Sequence, residues 1–415
     1  MVTHSATLEI NERVAAYRSA GRRIVHLGFG EAGLPVLPAL ADRLREAAGD
    51  NSYAPVAGSE EVRHAAAGYW HRRGIPTGDD QMLVAPGSKP LLYAALAAIE
   101  GDVVLPMPSW VTYAAQAALA GKRVIPAPIP TDHGGIPDPD GLADTLRRAR
   151  ADGADPRLLV VTLPDNPTGT VASEAAVRGI CEIADRHGLV IVSDEIYRDL
   201  VHDGGPVTSP AVLLPDRTIV TGGLSKNLAL GGWRIGFARV PATTEGTAWH
   251  AAILGIASEL WSCMATPMER VAAYALGEPE VVANHITRSR RLHAAVATAV
   301  AAIFTDAGAT LRPPTAGFYL YPDLESARTK LTRIGVRTGA DLAHYLLDEH
   351  GLAVLPGESF GDTPAAFRSR VATSLLYGDT EQRWEALGSA EPARLPWIAA
   401  ELERLRDILA RVMTP

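Results

Sequence analysis

The chain has 415 residues, of which 47% are hydrophobic and 21% charged, so it contains ample material for a packed core. Its formal net charge of −8 argues against a nucleic acid or an anionic membrane as a partner, because both are met by basic surfaces. We expect one large and one smaller domain that act on a small molecule.

Two further features concern location. Cys181 and Cys263 are the only cysteines, which is too few for a disulfide framework and typical of a reducing compartment. Residues 1–23 lack an apolar signal core, and the most apolar later run, residues 294–304, is too short to span a bilayer. The sequence therefore predicts a cytoplasmic protein.

The first elements surround a glycine-rich loop. The pattern predicts an amphipathic helix over residues 8–20 and a short strand over residues 23–28. Gly28, Gly30 and Gly33 then spell the G-x-G-x-x-G of dinucleotide-binding folds. Prolines at positions 35 and 38 follow too closely for a packed helix to begin at the third glycine. A dinucleotide site is not expected here.

A strand, a turn and a helix come next. Ser59 and the two glutamates after it predict a capped helix start. The segment MLVAPGSKPLLYAALAAI (82–99) then predicts a strand and a helix joined at Gly87. A helix that begins there presents free backbone N–H donors and the positive end of its dipole, so the turn predicts an anion site. It is not a Walker loop, because the glycine spacing before the lysine is missing.

Three later apolar runs predict further strands: residues 102–107, 158–163 and 189–193. Continuous apolar runs of this kind are typical of a parallel sheet that is covered on both faces. Asp194 directly follows the last of them, at a carboxyl strand end, where open α/β sheets place ligand chemistry. The alternative role for Asp194 is a helix cap.

The stretch TGGLSKNLALGGWRIG (221–236) carries one amine in apolar surroundings, Lys226. An amine in such surroundings loses its proton more readily, and the neutral amine can attack an aldehyde to form a Schiff base. Arg234 and the hydroxyl of Ser225 would supply a fixed cation and a donor for an anion such as phosphate. The alternative is an ordinary lysine whose amine reaches water past an apolar stem.

The second half of the chain predicts helices over 244–277 and 283–304, and strands of a small α+β domain within 316–323 and 352–361. Gly357-x-Ser359-x-Gly361 matches the nucleophile elbow of serine hydrolases. That elbow needs a helix directly after the serine, which the following Pro364 opposes. Residues 377–397 are polar and have no functional interpretation.

Taken in order, these segments resemble the class I/II pyridoxal-phosphate (PLP) aminotransferases, in the aspartate aminotransferase-like branch. SKNLALGGWRIG resembles the family's cofactor-lysine signature, and Asp-Glu-Ile-Tyr (194–197) resembles its Asp-Glu-x-Tyr element. The resemblance runs from about residue 8 to the C-terminal helix. GEAG (30–33) departs from the family's usual Gly-Glu-Pro-Asp, which predicts a roomier or more flexible substrate mouth.

The resemblance implies a role for each candidate residue. Lys226 would form the Schiff base with PLP, Asp194 would keep the pyridine nitrogen protonated, and Asn166 would bond the ring oxygen beside Tyr197. The remaining cofactor contacts would come from Ser88, Lys89, Ser225 and Arg234 at the phosphate, Trp110 on the ring, and Tyr53 at the phosphate of the neighbouring subunit.

The resemblance also implies a substrate site. Arg370, in FRSRVATS (367–374), would bind the α-carboxylate, because a planar guanidinium fork suits a carboxylate. Arg368 is the alternative, since residues two apart share a strand face. Gly30, Trp110 and Asn166 would complete the substrate contacts.

The implied architecture is PLP fold type I, an α/β fold. A large, mainly parallel sheet domain (46–285) would carry the cofactor, and a small α+β domain would combine residues 1–45 with residues 286–415. If Tyr53 acts in trans, the functional unit is a homodimer. No metal site is expected.

The implied activity is transfer of the α-amino group of an L-amino acid to a 2-oxo acid, with freed Lys226 moving the Cα proton. Elimination, cyclisation or oxidation on the same cofactor is the nearest alternative. A PLP-binding gene regulator is disfavoured, because the sequence has no spare DNA-binding segment or basic patch. A serine hydrolase acting through Ser359 fails for lack of the helix.

Overall fold

The computed structural model describes residues 6–130 and 133–413. Its helices are α1 (Ala6–Ser19), α2 (Pro38–Ala47), α3 (Glu60–His71), α4 (Ser88–Ala98), α5 (Val111–Leu119), α6 (Pro139–Ala151), α7 (Glu174–His187), α8 (Pro210–Leu213), α9 (Leu224–Asn227), α10 (Thr244–Leu260), α11 (Thr266–Leu276), α12 (Glu280–Asp306), α13 (Arg328–Arg333), α14 (Gly339–His350), α15 (Thr380–Gly388) and α16 (Pro396–Met413). Its strands are β1 (Val25–His26), β2 (Met82–Pro86), β3 (Asp102–Met107), β4 (Val124–Pro128), β5 (Pro156–Thr162), β6 (Val190–Asp194), β7 (Thr218–Gly223), β8 (Ile235–Arg239), β9 (Tyr319–Leu320), β10 (Leu352–Ala353), β11 (Leu355–Pro356) and β12 (Ser369–Ala372).

The central layer is a seven-stranded sheet with the order β2-β8-β7-β6-β5-β3-β4. The five strands from β4 to β7 in that order are parallel, and β8 is antiparallel to both of its neighbours. Asp194 pairs with Thr162 on one side and with Thr221 on the other. The carboxyl edge of the sheet therefore collects the polar residues that follow the apolar strands.

Both faces of this sheet are covered, as the continuous apolar strands predict. Along β5, Leu158 and Val160 pack with α4, α5 and α10, whereas Leu159 and Val161 pack with α6 and α7. Successive side chains of a strand point to opposite faces, so an apolar strand of this kind needs helices on each side.

A second core joins the two ends of the chain. Strand β1 pairs in parallel with β10, and β11, β12 and β9 form a three-stranded antiparallel sheet. Val25 and Leu27 share one hydrophobic cluster with residues of α12, α14 and α16. Segments far apart in sequence thus share one core.

The structure corrects several predicted elements. The strand predicted over 23–28 contains only β1, because β10 offers two residues for pairing. The strands predicted within 316–323 and 352–361 are likewise two residues long each. The helix predicted over 244–277 is two helices, since Ser262 adopts a φ of 60° between α10 and α11. The helix predicted over 283–304 begins earlier and ends later, as α12.

The predicted cap at Ser59 is wrong in its chemistry. The Ser59 hydroxyl makes no capping hydrogen bond to α3. Instead, the Ser59 backbone N–H donates to a carboxylate oxygen of Glu269 over 2.9 Å. A glutamate from α11, more than two hundred positions away, therefore accepts the N–H that a capping box would pair with a glutamate of α3 itself.

The glycine motif at 28–33 does not form a dinucleotide-binding turn, and the motif at 357–361 does not form a nucleophile elbow. After Gly33 the chain stays irregular until α2 begins at Pro38. Gly357–Phe360 forms one 3-10 turn, which Gly361 ends with a φ of 87°, so no α-helix follows Ser359. Residues 377–397 contain α15 and the start of α16. Within the described ranges, no helix combines the length and apolarity required to cross a membrane.

Candidate active site

Asp194 is the last residue of β6 and is buried at the carboxyl edge of the large sheet. Its Oδ2 accepts a hydrogen bond from the Tyr113 hydroxyl (2.9 Å), and its Oδ1 accepts one from the Thr221 hydroxyl (3.1 Å). Burial raises the pKa of Asp194 to about 6, and the hydrogen bonds from Tyr113 and Thr221 oppose that rise. The chain continues into a 3-10 turn, so Asp194 caps no α-helix.

Asn166 and Tyr197 follow neighbouring strands, and their side chains meet. The Asn166 amide donates to the Tyr197 hydroxyl over 3.3 Å, and that hydroxyl lies 3.1 Å from the hydroxyl of Tyr319. All three residues are buried. Asn166 Oδ1 has no hydrogen-bond partner among the described residues. Because an unpaired buried polar atom is costly, this oxygen suits a group that binds from outside the chain.

Lys226 lies on α9, directly after β7, and its amine faces the glycine-rich loop. Its Nζ donates to the Gly30 carbonyl oxygen over 2.5 Å and lies 5.9 Å from the ring centroids of both Tyr197 and Phe318. The side chain is half-buried. A Cβ at position 30 would collide with the Tyr319 hydroxyl, so the close contact between this backbone and Tyr319 requires glycine.

A cationic region surrounds the turn before α4. Gly87 adopts a φ of 91°, and a Cβ there would collide with the Arg234 guanidinium. Much of the Lys89 side chain is exposed, yet partial burial lowers its pKa, and the charges of Arg234 and Lys226 lower it further. Ser88 is buried as the first residue of α4. Three cations and a helix N-terminus thus adjoin one another, an arrangement suited to an anion.

Trp110 and Tyr53 border this region from different directions. Trp110 is half-buried just before α5, and the Lys89 amine lies 5.2 Å from its ring centroid. Tyr53 is 92% exposed in the single chain. It lines two open cavities, one of about 680 Å³ that it shares with Glu269 and one of about 630 Å³ that it shares with Arg234.

Arg370 lies on β12 and Arg368 lies directly before it, and the two side chains have different partners. Arg370 is 1% exposed, donates from Nη2 to the Gly28 carbonyl (2.9 Å), and has no partner for Nε among the described residues. Arg368 forms 2.9 Å ion pairs with Asp323 and Asp362. Burial lowers the pKa of Arg370. The geometry favours Arg370 over Arg368 for a substrate carboxylate, because only its guanidinium lacks a carboxylate partner.

The loop at GEAG (30–33), for which a roomier or more flexible mouth is predicted, packs against the segment after β12. Ala32 is fully buried. A Cβ at Gly33 would collide with the Ser374 carbonyl oxygen, and the Ser374 hydroxyl donates to the carbonyl of Glu31. The segment after β12 therefore holds this loop closed.

Comparison with known proteins identifies the family. The model of aminotransferase class I and II matches residues 22–375. The chain is a class I/II aminotransferase. The bifunctional aspartate aminotransferase and glutamate/aspartate-prephenate aminotransferase of Petunia hybrida is 31% identical to it over 412 residues, covering 94% of this chain and 82% of the relative. The aspartate/prephenate aminotransferase of Cereibacter sphaeroides is also 31% identical, covering 90% of this chain and 93% of the relative.

A solved structure shares the fold of this aminotransferase over almost its whole length. The aspartate aminotransferase from Thermus thermophilus with maleate aligns with a TM-score of 0.82 and 26% identity, covering 98% of this chain and 97% of that one. The predicted α/β fold of PLP fold type I is confirmed. The aminotransferase is a PLP-dependent enzyme that transfers an amino group to a 2-oxo acid. The comparisons give no support to elimination, cyclisation or oxidation.

The described residues fit PLP, which carries an anionic phosphate on one side of its ring and a ring nitrogen on another. The cations around Gly87 suit the phosphate, the buried Asp194 carboxyl suits the nitrogen, and Asn166 Oδ1 is free to bond. When bound, PLP supplies an aldehyde carbon for covalent attachment and a ring that accepts electrons. The residues that would hold it are Ser88, Lys89, Trp110, Asn166, Asp194, Tyr197, Ser225, Lys226 and Arg234.

Sequence reasoning missed four residues of this site. Thr162 and Thr221 flank Asp194, and each is a polar residue at or near the end of an apolar strand, so strand ends alone could have identified them. Tyr113 and Tyr319 had no such signal. They reach the site from α5 and β9, and only the tertiary packing of those elements brings them there.

Proposed function

We propose that Lys226 is the amine that bonds to PLP and that, once released, takes the proton from the Cα of the amino acid. One observation carries this assignment: the Lys226 amine is held at the Gly30 carbonyl, between the aromatic rings and the cationic region. A half-buried amine that can both bond and carry a proton is what this chemistry needs.

The residues around the ring would set the cofactor's electronic state. In this proposal, ionised Asp194 holds a proton on the pyridine nitrogen, and the hydroxyls of Tyr113 and Thr221 keep its two oxygens oriented. Asn166 and Tyr197 bond the ring oxygen. Trp110 stacks on the ring, while Ser88, Lys89, Ser225 and Arg234 bind the phosphate.

Arg370 would hold the α-carboxylate of the substrate. Its Nε is unpaired and its guanidinium lies 4.8 Å from the ring centroid of Tyr319, so an entering carboxylate would satisfy a buried cation. The backbone of Gly30, together with Trp110 and Asn166, would complete the substrate contacts. This arrangement would place the Cα of the substrate near Lys226.

We propose an acidic L-amino acid, aspartate or glutamate, as the donor. The support is that the Petunia hybrida and Cereibacter sphaeroides relatives are named for aspartate, glutamate or prephenate. The acceptor would be the 2-oxo acid of a second amino acid.

The assembly and the boundaries of the domains belong to the same proposal. A homodimer is supported by the exposed ring of Tyr53, which a neighbouring subunit's phosphate would cover. We infer domains 1–45 with 286–415, and 46–285. The cytoplasm remains the proposed location, in keeping with the two unpaired cysteines.

A half-reaction tests the function directly. The PLP-loaded protein is mixed with one L-amino acid at a time, without 2-oxo acid or oxygen, while the absorbance of the bound cofactor and the released product are followed. Aspartate or glutamate should give one equivalent of 2-oxo acid per site. Release of ammonia, or recovery of every amino acid unchanged, would overturn the proposal.

A further inference from the structure

A buried carboxylate lies directly behind the helix that carries Lys226. Asp199 belongs to the 3-10 turn Arg198–Leu200, two residues after Tyr197, and its side chain is 10% exposed. Its Oδ2 accepts hydrogen bonds from the Asn227 amide (2.8 Å) and from the Tyr69 hydroxyl (2.9 Å). Its Oδ1 accepts two from the Arg73 guanidinium, at 2.7 and 3.0 Å.

Two of these contacts have an evident structural purpose. Arg73 compensates the charge of Asp199, which a buried carboxylate requires. Tyr69 is itself buried and satisfies its hydroxyl. Tyr69 lies on α3 and Arg73 lies two residues after its last residue, His71, so together they fix the carboxylate to the C-terminal end of that helix.

The bond from Asn227 has a different consequence. Asn227 is 3% exposed, and its Oδ1 has no hydrogen-bond partner among the described residues, so its amide makes a single bond at the cost of an unsatisfied oxygen. A leucine of similar volume would avoid that cost. The bond to Asp199 is therefore what the amide provides.

Helix α9 contains only Leu224–Asn227, which is too short to hold its own orientation. Adjacent helical side chains diverge by a fixed angle, so the direction of Asn227 also sets the direction of Lys226. The same carboxylate is on the turn that follows Tyr197. It thereby links two parts of the cofactor site to α3.

We propose that Asp199, acting through Asn227, is a positioning residue that aims the Lys226 amine at the Gly30 carbonyl and the bound cofactor. This inference rests on the proposed role of Lys226. It assigns no contact between Asp199 and the substrate or the cofactor, and it predicts that the bond to Asn227 matters for Lys226 while the neighbouring bond to Tyr69 does not.

Two matched variants separate positioning from stability. Asn227→Leu and Tyr69→Phe each remove one hydrogen bond to the same oxygen of Asp199, at 2.8 and 2.9 Å. In urea unfolding of the PLP-loaded proteins, N227L should lose no more stability than Y69F, because leucine also removes the unsatisfied amide oxygen. Only N227L should slow the half-reaction, by about 10-fold to 100-fold, because a small misplacement of a reacting group has effects of that size.

A spectroscopic readout makes the test independent of activity. The absorbance of bound PLP is followed against pH in both variants, since its titration reports the surroundings of the attached amine. The midpoint should move in N227L and stay at the wild-type value in Y69F. If N227L is not recovered folded, Asn227→Ala is measured against the same criterion.

The two proposals can fail separately. Equal half-reaction rates or equal titration midpoints in N227L and Y69F would overturn the positioning role. Turnover in Lys226→Ala would instead overturn the assignment of Lys226, on which the positioning role depends. Loss of turnover in K226A, with N227L differing from Y69F in both readouts, supports both.

Discussion

The surroundings of Asp194 and of Arg370 differ in how completely the chain satisfies a buried charge. Asp194 accepts hydrogen bonds on both oxygens from residues of the large domain. Among the described residues, Arg370 has one carbonyl partner and none for Nε, and it faces the rings of Tyr319 and Phe360. Asp194 is held in place whatever else is bound, whereas Arg370 is left to be completed by an anion.

This difference matches the two kinds of ligand that an aminotransferase handles. A cofactor that stays bound can be met by a rigid group that hydrogen bonds within the chain already orient, with acceptor capacity left for the cofactor. A substrate that enters and leaves at each turnover is better met by a charge whose remaining hydrogen bonds it supplies itself. The following predictions test that contrast, in order of decreasing effect.

Removing the Lys226 amine should have the largest effect on turnover. Lys226→Ala should lower kcat by about 10⁴-fold or more, because both the covalent attachment and the proton transfer are lost. Steady-state turnover with the best donor measures this. Lys122→Ala is the control, since the Lys122 amine donates to the carbonyls of Ile99 and Gly101. Activity that survives in K226A would contradict the assignment.

The unsatisfied arginine should be sensitive to shape as well as to charge. Arg370→Lys keeps a cation but loses the planar fork, so KM for the amino acid should rise by about 10-fold to 100-fold. Arg368→Lys should change KM by less than about 5-fold, because partly exposed ion pairs contribute little. Initial-rate kinetics on both variants provide the comparison. A larger effect from R368K would shift the substrate carboxylate to that residue.

The cationic region can be altered through the glycine that makes room for it. Gly87→Ala should weaken PLP binding by about 10-fold, since the added Cβ displaces Arg234 and one charge-assisted bond is worth that much. Gly74→Ala shares the positive φ, at 76°, but its Cβ would meet open space. Titration of each apoprotein with PLP separates backbone strain, common to both, from the loss of Arg234. Equal affinities in G87A and G74A would argue against a phosphate at Arg234.

The smallest effect is expected at Asp194, whose ionisation should set the pH dependence of PLP binding. The hydrogen bond from Tyr113 favours the ionised form of Asp194, so Tyr113→Phe should raise the pKa of that carboxyl above its value of about 6. Because PLP pairs with the anion, acidification should then release PLP at a pH about 1 unit higher than in the wild type.

Dialysis over a pH series measures that midpoint. Tyr17→Phe serves as the control, since it removes a tyrosine bond to Asp348, a partly exposed carboxylate on α14. A midpoint that is unchanged in Y113F would mean that the pH dependence of PLP binding arises from a group other than Asp194.

Much of the site was accessible from local sequence. The strand ends at Thr162 and Asp194, the helix start after Gly87 and the amine at Lys226 all follow from apolar runs that end in polar residues. The carboxyl ends of parallel strands meet at one edge, so their order alone brings such residues together.

Other features depended on contacts between distant segments. The Glu269 carboxylate accepts the backbone N–H of Ser59, the Ser374 backbone packs against Gly33, and Tyr319 fills the space beside Gly30. Such contacts join residues far apart in sequence, and nothing in the local pattern of either partner records the other.

The sequence by itself determined the covered parallel sheet and the candidate lysine of this protein, because hydrophobic periodicity and turn chemistry act over a few residues. The family followed from the resemblance of its motifs and their order along the chain. Only the tertiary structure decided that Arg368 and not Arg370 has carboxylate partners among the described residues, which tyrosines reach Asp194 and Tyr197, and how Asp199 is bonded to the helix of Lys226. The physical reason is that burial and hydrogen-bond satisfaction are properties of the packed chain, and they are fixed only when α3, α5, β9 and β12 meet at the edge of the large sheet.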